Sequence, residues 1–271
     1  IKGEKMSAKL IFSDIDGTLI NDELKVTPKT RDAIRHQIIA GNIFIPASAR
    51  LPKGIMTAVG QILTVFPMIA YNGALALDET GRALITRFFN AKEAAEICHY
   101  VEKQNNGSAW NIYSGYVWYC AKEKSPLVEH EEKIVNVKAT PVTVDQIEQL
   151  QGVHKALIMG KPEELDRMQK ELIKKFPDLS FVRSSRTLLE VVLKGVSKAS
   201  AVAILAKEYK VPLKDCIALG DNYNDEEMLE EVGHPILMGN APAELKEKIG
   251  LDHVTLDNNH DGIAEALAEF E

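Results

Sequence analysis

The feature that most constrains this chain is a repeated pattern: a short apolar run breaks off in a polar loop, and a helical stretch follows. The first run, Leu10-Ile11-Phe12 with Ser13, opens into Asp14-Ile15-Asp16-Gly17-Thr18. Residues 28–40 then read as a helix closed by Gly41-Asn42. A second run, 43–47, carries Pro46, which lacks the amide proton a central strand needs and so belongs at the strand's end. A helix over 54–64 leads to a third run, 68–71, which stops at Asn72-Gly73. Runs without a polar face suit strands buried on both sides, and intervening helices suit parallel pairing through right-handed crossovers. The rhythm returns late in the chain, with helices over 197–209, 225–231, 242–249 and 262–270 and strands over 215–219, 234–238 and 254–256.

Between these blocks the pattern changes. A hairpin arm near residue 83 precedes a helix over 91–104 and two aromatic strands, 110–113 and 116–120, around Ser114-Gly115. A helical patch over 125–134, a strand over 155–159, a helix over 162–176 and strands over 179–183 and 187–193 complete this middle part. Strand pairs joined by tight turns predict an antiparallel sheet with helices on one face. The expected fold class is therefore α/β, a doubly wound parallel-sheet (Rossmann-like) core over residues 1–83 and 193–271. An inserted α+β domain, residues 84–192, interrupts it.

With 271 residues and 45% hydrophobic composition the chain can bury cores of that size. Its net charge of -7 argues against broad adhesion to nucleic acid or an anionic membrane, while leaving room for a small anionic ligand held by a few cations. No apolar run is long enough to span a bilayer and the start is polar, so a cytoplasmic location is expected, with Met6 a candidate natural start. Cys98, Cys120 and Cys216 are odd in number and widely spaced, and read as buried small side chains rather than a disulfide framework. No two of the seven histidines have the spacing of a zinc-binding helix.

Open parallel sheets bind ligands beyond the carboxyl ends of their strands. At those ends stand Asp14 and Asp16, then Ser48-Ala49-Arg50, then Asn72, and later Gly220-Asp221-Asn222-Tyr223-Asn224-Asp225. On extended backbone Asp14 and Asp16 would share one face about 6–7 Å apart. If Asp221 and Asp225 converge there, four carboxylates repel one another by several kcal/mol unless a proton or cation intervenes. An all-oxygen donor set points to a hard cation, Mg2+. Asp-x-Asp-Gly-Thr also fits a simple Asx-type turn after a strand. Ser197 reads as an N-cap, placing Lys198 in a first helical turn, where the macrodipole opposes a cation unless an anion is bound there. A solvated lysine fits the same letters. Ser48, at a strand-to-helix turn, offers a hydroxyl and a backbone N–H to phosphate oxygens.

These segments together resemble the haloacid dehalogenase superfamily, specifically its Cof-type phosphatases. The resemblance rests on Phe12-Ser13-Asp14-Ile15-Asp16-Gly17-Thr18-Leu19, Ala47-Ser48-Ala49-Arg50, Lys194-Gly195-Val196-Ser197-Lys198 and the segment from Gly220 to Leu229. Met238-Gly239-Asn240-Ala241-Pro242 and Asn259-His260-Asp261-Gly262-Ile263 are also similar to that subfamily. Ser48-Ala49 stands where Thr-Gly is usual, which keeps the hydroxyl. The resemblance implies that Asp14 attacks phosphorus and that Asp16 serves as general acid and base. It implies Mg2+ at Asp14, the Asp16 carbonyl and Asp221, with Asp225 in or beside that shell, and a phosphoryl group held by Ser48, Ala49, Lys198 and Asn224. The insertion resembles a substrate-covering cap, in which Glu190 and Arg183 are candidate specificity residues, as are Arg50 and Asn72 in the core. Salt-bridging or capping roles suit Arg50 and Asn72 equally well. Trp110, Tyr113, Tyr116, Trp118 and Tyr119 read first as the insertion's own core and second as a stacking surface. The implied function is a Mg2+-dependent phosphatase of small phosphorylated metabolites, such as sugar phosphates, through an aspartyl phosphate. A phosphomutase and a slowly turning-over phospho-accepting sensor are the alternatives. The implied partner is a small metabolite, with neither nucleic acid nor membrane, and no motif speaks to oligomeric state.

Overall fold

β1 (Leu10–Ser13) is buried at all four positions, as expected of a strand covered on both faces and paired along both edges. The computed structural model describes residues 9–270, so Met6 lies outside the described residues. They fall into two compact units: the chain up to Arg50, Ile55–Ile85 and Ser197 onward form the first, and Leu51–Gly54 with Thr86–Val196 the second.

The first unit begins with β1, α1 (Pro28–Ile39), β2 (Ile43–Pro46), α2 (Pro52–Val59), β3 (Met68–Ala70), β4 (Leu75–Leu77) and β5 (Ala83–Thr86), except that the start of α2 up to Gly54 and Thr86 at the end of β5 group with the second unit. Thr27 caps α1 by accepting from the Thr30 N–H, and Pro28, which has no N–H to satisfy, occupies the first turn. Pro46 sits at the last position of β2, where its missing donor is harmless. α2 starts two residues before the expected 54–64 because Pro52 can open a helix. It stops at Val59, five residues short of the expected end.

The third run departs from expectation. β3 touches β2 through one parallel bridge, Ala47 to Ile69, and then folds back antiparallel onto β4. The reversal is local: Tyr71 and Asn72 adopt left-handed backbone angles and Gly73 has φ +106°. Gly73 is required there, since a Cβ would lie 2.3 Å from the Ser197 carbonyl oxygen.

The second unit contains α3 (Ala91–Gln104), β6 (Ala109–Ser114), β7 (Val117–Ala121), α4 (Pro126–Val135), β8 (Thr140–Val142), α5 (Val144–Glu148), β9 (Lys155–Met159), α6 (Pro162–Lys175), β10 (Leu179–Ser185) and β11 (Leu188–Leu193). Its sheet runs β10-β11-β9-β6-β7-β8. All pairs are antiparallel except β7 with β8, which are parallel because α4 carries the chain back between them. β8 and α5 are absent from the sequence reading, being three and five residues long. Trp110, Tyr113 and Trp118 are buried, with Tyr113 stacked on Trp118 at 5.6 Å, so these three belong to the unit's interior; Tyr116 is exposed.

The chain returns through α7 (Lys198–Glu208), β12 (Ile217–Gly220), α8 (Glu226–Glu231), β13 (His234–Leu237), α9 (Ala243–Ile249) and α10 (Gly262–Ala268). The expected strand over 215–219 begins later, because Leu213–Asp215 forms a 3-10 turn, and the expected strand over 254–256 reduces to one bridge from Val254 to Leu237. The parallel sheet has the order β13-β12-β1-β2. Leu10, Phe12, Ile45 and Ala218 pack with Ala201, Val202 and Leu205 of α7 and Met228 and Leu229 of α8. α1 packs against α10, and the buried Gln37 amide donates to the Leu267 carbonyl. The core is thus a doubly wound α/β fold. β1 lies between β2, which follows it, and β12, which arrives after the inserted unit. That is a switch point of the kind that opens a crevice at the strands' carboxyl ends. Among the described residues no helix is long and apolar enough to cross a membrane.

His154 in the second unit links fold stability to pH. Its Nδ1 accepts from the Gly115 N–H at 3.2 Å, which assigns the proton to Nε2, 3.0 Å from the Thr86 hydroxyl. Burial pushes its pKa down to about 4 from 6.5. Between those values the unfolded chain holds more protons, so the contribution is complete above pH 6.5 and is lost as pH falls through 4. The wild type should therefore lose more stability between pH 7 and pH 4 than His154→Gln, by on the order of 2–3 kcal/mol in chemical denaturation. Parallel stability profiles for the two proteins would contradict this.

Candidate active site

The crevice residues of the first unit are placed by backbone pairing. Ile11, Phe12 and Ser13 lie opposite Ile217, Ala218 and Leu219, and the Asp14 N–H donates to the Leu219 carbonyl at 2.9 Å. Asp14 therefore leaves β1 beside the point where Asp221 leaves β12. Between them comes α7, whose Ser197 N-cap accepts from the Ser200 N–H while the Ser200 hydroxyl faces the Ser197 N–H. This cap fixes Lys198 at the first helical position.

Lys198 is 1% exposed. Its ammonium donates to Asp14 Oδ1 at 2.6 Å and to Asp225 Oδ1 at 2.7 Å, which rules out the solvated-lysine alternative. Burial pulls its pKa down, but Asp14 and Asp225 more than offset that and hold it above the ordinary lysine value, so it stays a cation. Asp225 is fully buried, and its second oxygen accepts from the N–H groups of Asp221 (3.0 Å) and Asn222 (3.2 Å). Asp225 thereby sets both the lysine and the backbone that presents Asp221.

Burial, then the neighbouring Asp225, pushes the Asp14 carboxyl well above the usual carboxylate range despite Lys198. Burial also raises Asp221 to about 6, against a hydrogen bond from Thr18 that lowers it. Thr18 Oγ1 donates to Asp221 Oδ1 at 2.8 Å. Gly17 approaches Asp221 so closely, with φ +79°, that a Cβ would lie 2.4 Å from Asp221 Oδ2. The Asp-x-Asp-Gly-Thr segment is therefore more than a strand-ending turn.

Asp14, Asp221 and Asp225 offer carboxylate oxygens within 4.8 Å of one another. Crowded, desolvated, all-oxygen donors of this kind fit a hard divalent cation such as Mg2+, which would offset the burial and the mutual repulsion that raise the Asp14 and Asp221 pKa values. The expectation of four converging carboxylates is corrected: three converge. The Asp16 side chain, 53% exposed, takes a bidentate hydrogen bond from Arg50, with Nε 2.8 Å from Oδ2. Arg50 thus has the salt-bridging role, because Asp16 points along the loop toward the Ser48–Arg50 segment.

Ser48 is buried, and its hydroxyl accepts from the Arg50 N–H at 3.1 Å, leaving its own proton to donate. Its backbone N–H, expected to face a phosphate, is instead bonded to the Ile69 carbonyl at 2.9 Å. Ala49 lies between these two residues in the same loop. The Asn72 N–H donates to the Ser48 carbonyl at 2.9 Å, which ties the left-handed turn to this loop. Asn224 is exposed in the turn that precedes α8. Glu190 and Arg183 belong to the second unit. Glu190 ion-pairs with Lys155 at 3.5 Å, and Arg183 bonds Asp166 at 2.6 Å.

A family model described as haloacid dehalogenase-like hydrolase matches residues 11–267. The chain belongs to the haloacid dehalogenase-like hydrolase family. A Haemophilus influenzae relative is 34% identical over 264 residues, covering 97% of this chain and 98% of its own. A 5-amino-6-(5-phospho-D-ribitylamino)uracil phosphatase of Bacillus subtilis is 27% identical, covering 94% and 96%. The crystal structure of a Thermotoga maritima protein superposes with a TM-score of 0.88 at 28% identity, covering 97% and 98%. In this haloacid dehalogenase-like chain the residues missed by sequence reasoning are Asn240 and Asn258. Asn240 donates to the Gly17 carbonyl at 2.8 Å, and Asn258 donates to the Ile20 carbonyl at 3.1 Å. The only sequence signal for Asn240 was its family-like Met238–Pro242 segment, which assigns it no role.

Removing the buried cation should expose its structural weight. In metal-free buffer at neutral pH, Lys198→Met should lower unfolding free energy by about 3–5 kcal/mol, since two buried carboxylates lose their counter-charge. The deficit should narrow as pH falls and a carboxyl protonates. A variant as stable as wild type at neutral pH would contradict the electrostatic account.

Proposed function

We propose that this chain is a Mg2+-dependent phosphatase that hydrolyses small phosphorylated metabolites, sugar phosphates or similar, through an aspartyl phosphate on Asp14. The observation that carries the reading is the buried Lys198 ammonium bonded to Asp14 at the mouth of the switch point. It holds one Asp14 oxygen, and in this reading the other is the nucleophile. Mg2+, held by Asp14, Asp221 and the Asp16 carbonyl with Asp225 beside them, would supply positive charge to the phosphate oxygens and relieve carboxylate repulsion.

The chain's own groups do the rest. An Asp14 oxygen forms a bond to phosphorus as the bond from phosphorus to the substrate oxygen breaks, and Asp16 gives that leaving oxygen a proton. Asp16 then takes a proton from water as the water attacks the acyl phosphate, freeing inorganic phosphate and Asp14. Acid–base assistance of this kind contributes roughly 10²–10⁴-fold. Lys198 and the Ser48 hydroxyl, with Ala49 and Asn224 in the flanking loops, would hold the transferring group where negative charge accumulates. In the substrate-free protein Arg50 occupies both Asp16 oxygens, so Asp16 must leave that fork and carry a proton to serve as the acid. Hydrolysis of a ribityl phosphate by the Bacillus subtilis relative supports the metabolite class without naming a substrate for this chain.

Phosphate release from a panel of phosphorylated metabolites and p-nitrophenyl phosphate tests the reading. Turnover should require Mg2+ and disappear in Asp14→Asn. Asp16→Asn should retain about 1% or less of wild-type turnover. Normal turnover by Asp14→Asn, or full activity after chelation of divalent ions, would overturn it.

A further inference from the structure

One motif remains outside the chemistry above: Met238-Gly239-Asn240-Ala241-Pro242, which follows β13. Asn240 from this segment reaches the nucleophile loop. Its amide nitrogen is 2.8 Å from the Gly17 carbonyl oxygen and 3.3 Å from Asp221 Oδ2. Its amide oxygen accepts from the Asn258 N–H at 3.2 Å. That last bond fixes which end of the amide is which, because an N–H can face only the oxygen. The two Nδ2 protons are therefore available to the Gly17 carbonyl oxygen and to Asp221 Oδ2.

The consequence concerns Asp221. Its two oxygens are held separately, Oδ1 by Thr18 at 2.8 Å and Oδ2 by Asn240. Gly17 is the neighbour of Asp16, whose carbonyl the proposed function assigns to the metal, so one side chain ties that stretch of loop to the Asp221 carboxylate across 19 and 223 residues of sequence separation. Asn258 extends the brace: its buried amide donates to the Ile20 carbonyl at 3.1 Å and to Asp22 Oδ1 at 3.2 Å.

We infer that Asn240 is a positioning residue for the divalent-cation site, setting the separation and orientation of Asp221 relative to the Asp14–Gly17 loop. It touches neither substrate nor reacting atoms. The inference rests on the proposed Mg2+ dependence and deepens it. Partners that orient ligand carboxylates typically contribute 10–100-fold to metal affinity, and a carboxylate freed to rotate loses its preset geometry.

The test is Mg2+ titration calorimetry on the substrate-free protein. Asn240→Ala should bind Mg2+ about 10–100-fold more weakly than wild type. Asn240→Ser, whose hydroxyl is too short to span both oxygens, should fall in the same direction. Asn259→Ala is the control: Asn259 follows Asn258 in the chain and bonds Asp22 but neither Gly17 nor Asp221, so its Mg2+ affinity should stay at the wild-type value. In turnover assays the Asn240 variants should lose activity at low Mg2+ and largely recover kcat at saturating Mg2+, a split that a misfolded site would not show. Wild-type Mg2+ affinity in both Asn240 variants, or an equal loss in Asn259→Ala, overturns the inference and leaves the proposed function standing. No Mg2+ binding by the wild type overturns the proposed function itself.

Discussion

A lysine side chain withdrawn from water must be surrounded by negative charge or lose its proton, and Lys198 meets that condition through Asp14 and Asp225. The rest of the site follows from this demand. Asp14 can reach Lys198 because β1 and β12 are parallel neighbours that end together, and Lys198 can reach both because a serine cap fixes where α7 begins. Asp225, held by Lys198 on one oxygen, uses the other to bind the N–H groups that present Asp221. One buried cation therefore organises three acids from two strand ends.

That arrangement leaves negative charge in excess unless a proton or a further cation joins it. One ammonium faces three converging carboxylates, and burial raises both Asp14 and Asp221. A divalent ion would offset this excess with the donors at hand, while Asp16, turned outward to Arg50, stays clear of the cluster. Separation of the two proposed roles, ligands inward and proton carrier outward, depends on Gly17. Only a residue without a Cβ can let the loop pass so close to Asp221.

Much of this was legible in the sequence because it depends on pattern. Apolar runs ending in Asp14, Ser48 and Asp221 mark strand ends of a parallel sheet, and Ser197 before Lys198 marks a helix start. The fold-back after β3 was hidden, since two successive left-handed residues that are not glycine, Tyr71 and Asn72, leave no compositional trace. β8 was hidden by its length and by a parallel pairing that a run of hairpins does not suggest. The pairing of Asp16 with Arg50, 34 residues away, and the use of the Ser48 N–H by Ile69 are tertiary facts that no local spacing encodes. Asn240 was visible as part of a motif, but its contact with Gly17 spans 223 residues and exists only once β13 is beside β12.

The central claim is that Asp14, poised by Lys198, becomes covalently bound to phosphorus. Rapid acid quenching during turnover, borohydride reduction of the acyl phosphate and peptide mass spectrometry test it directly. The account predicts homoserine at position 14 and at no other acidic residue. Reduction at Asp16 or Asp221, or an unmodified Asp14 in an enzyme releasing phosphate at full rate, would contradict it.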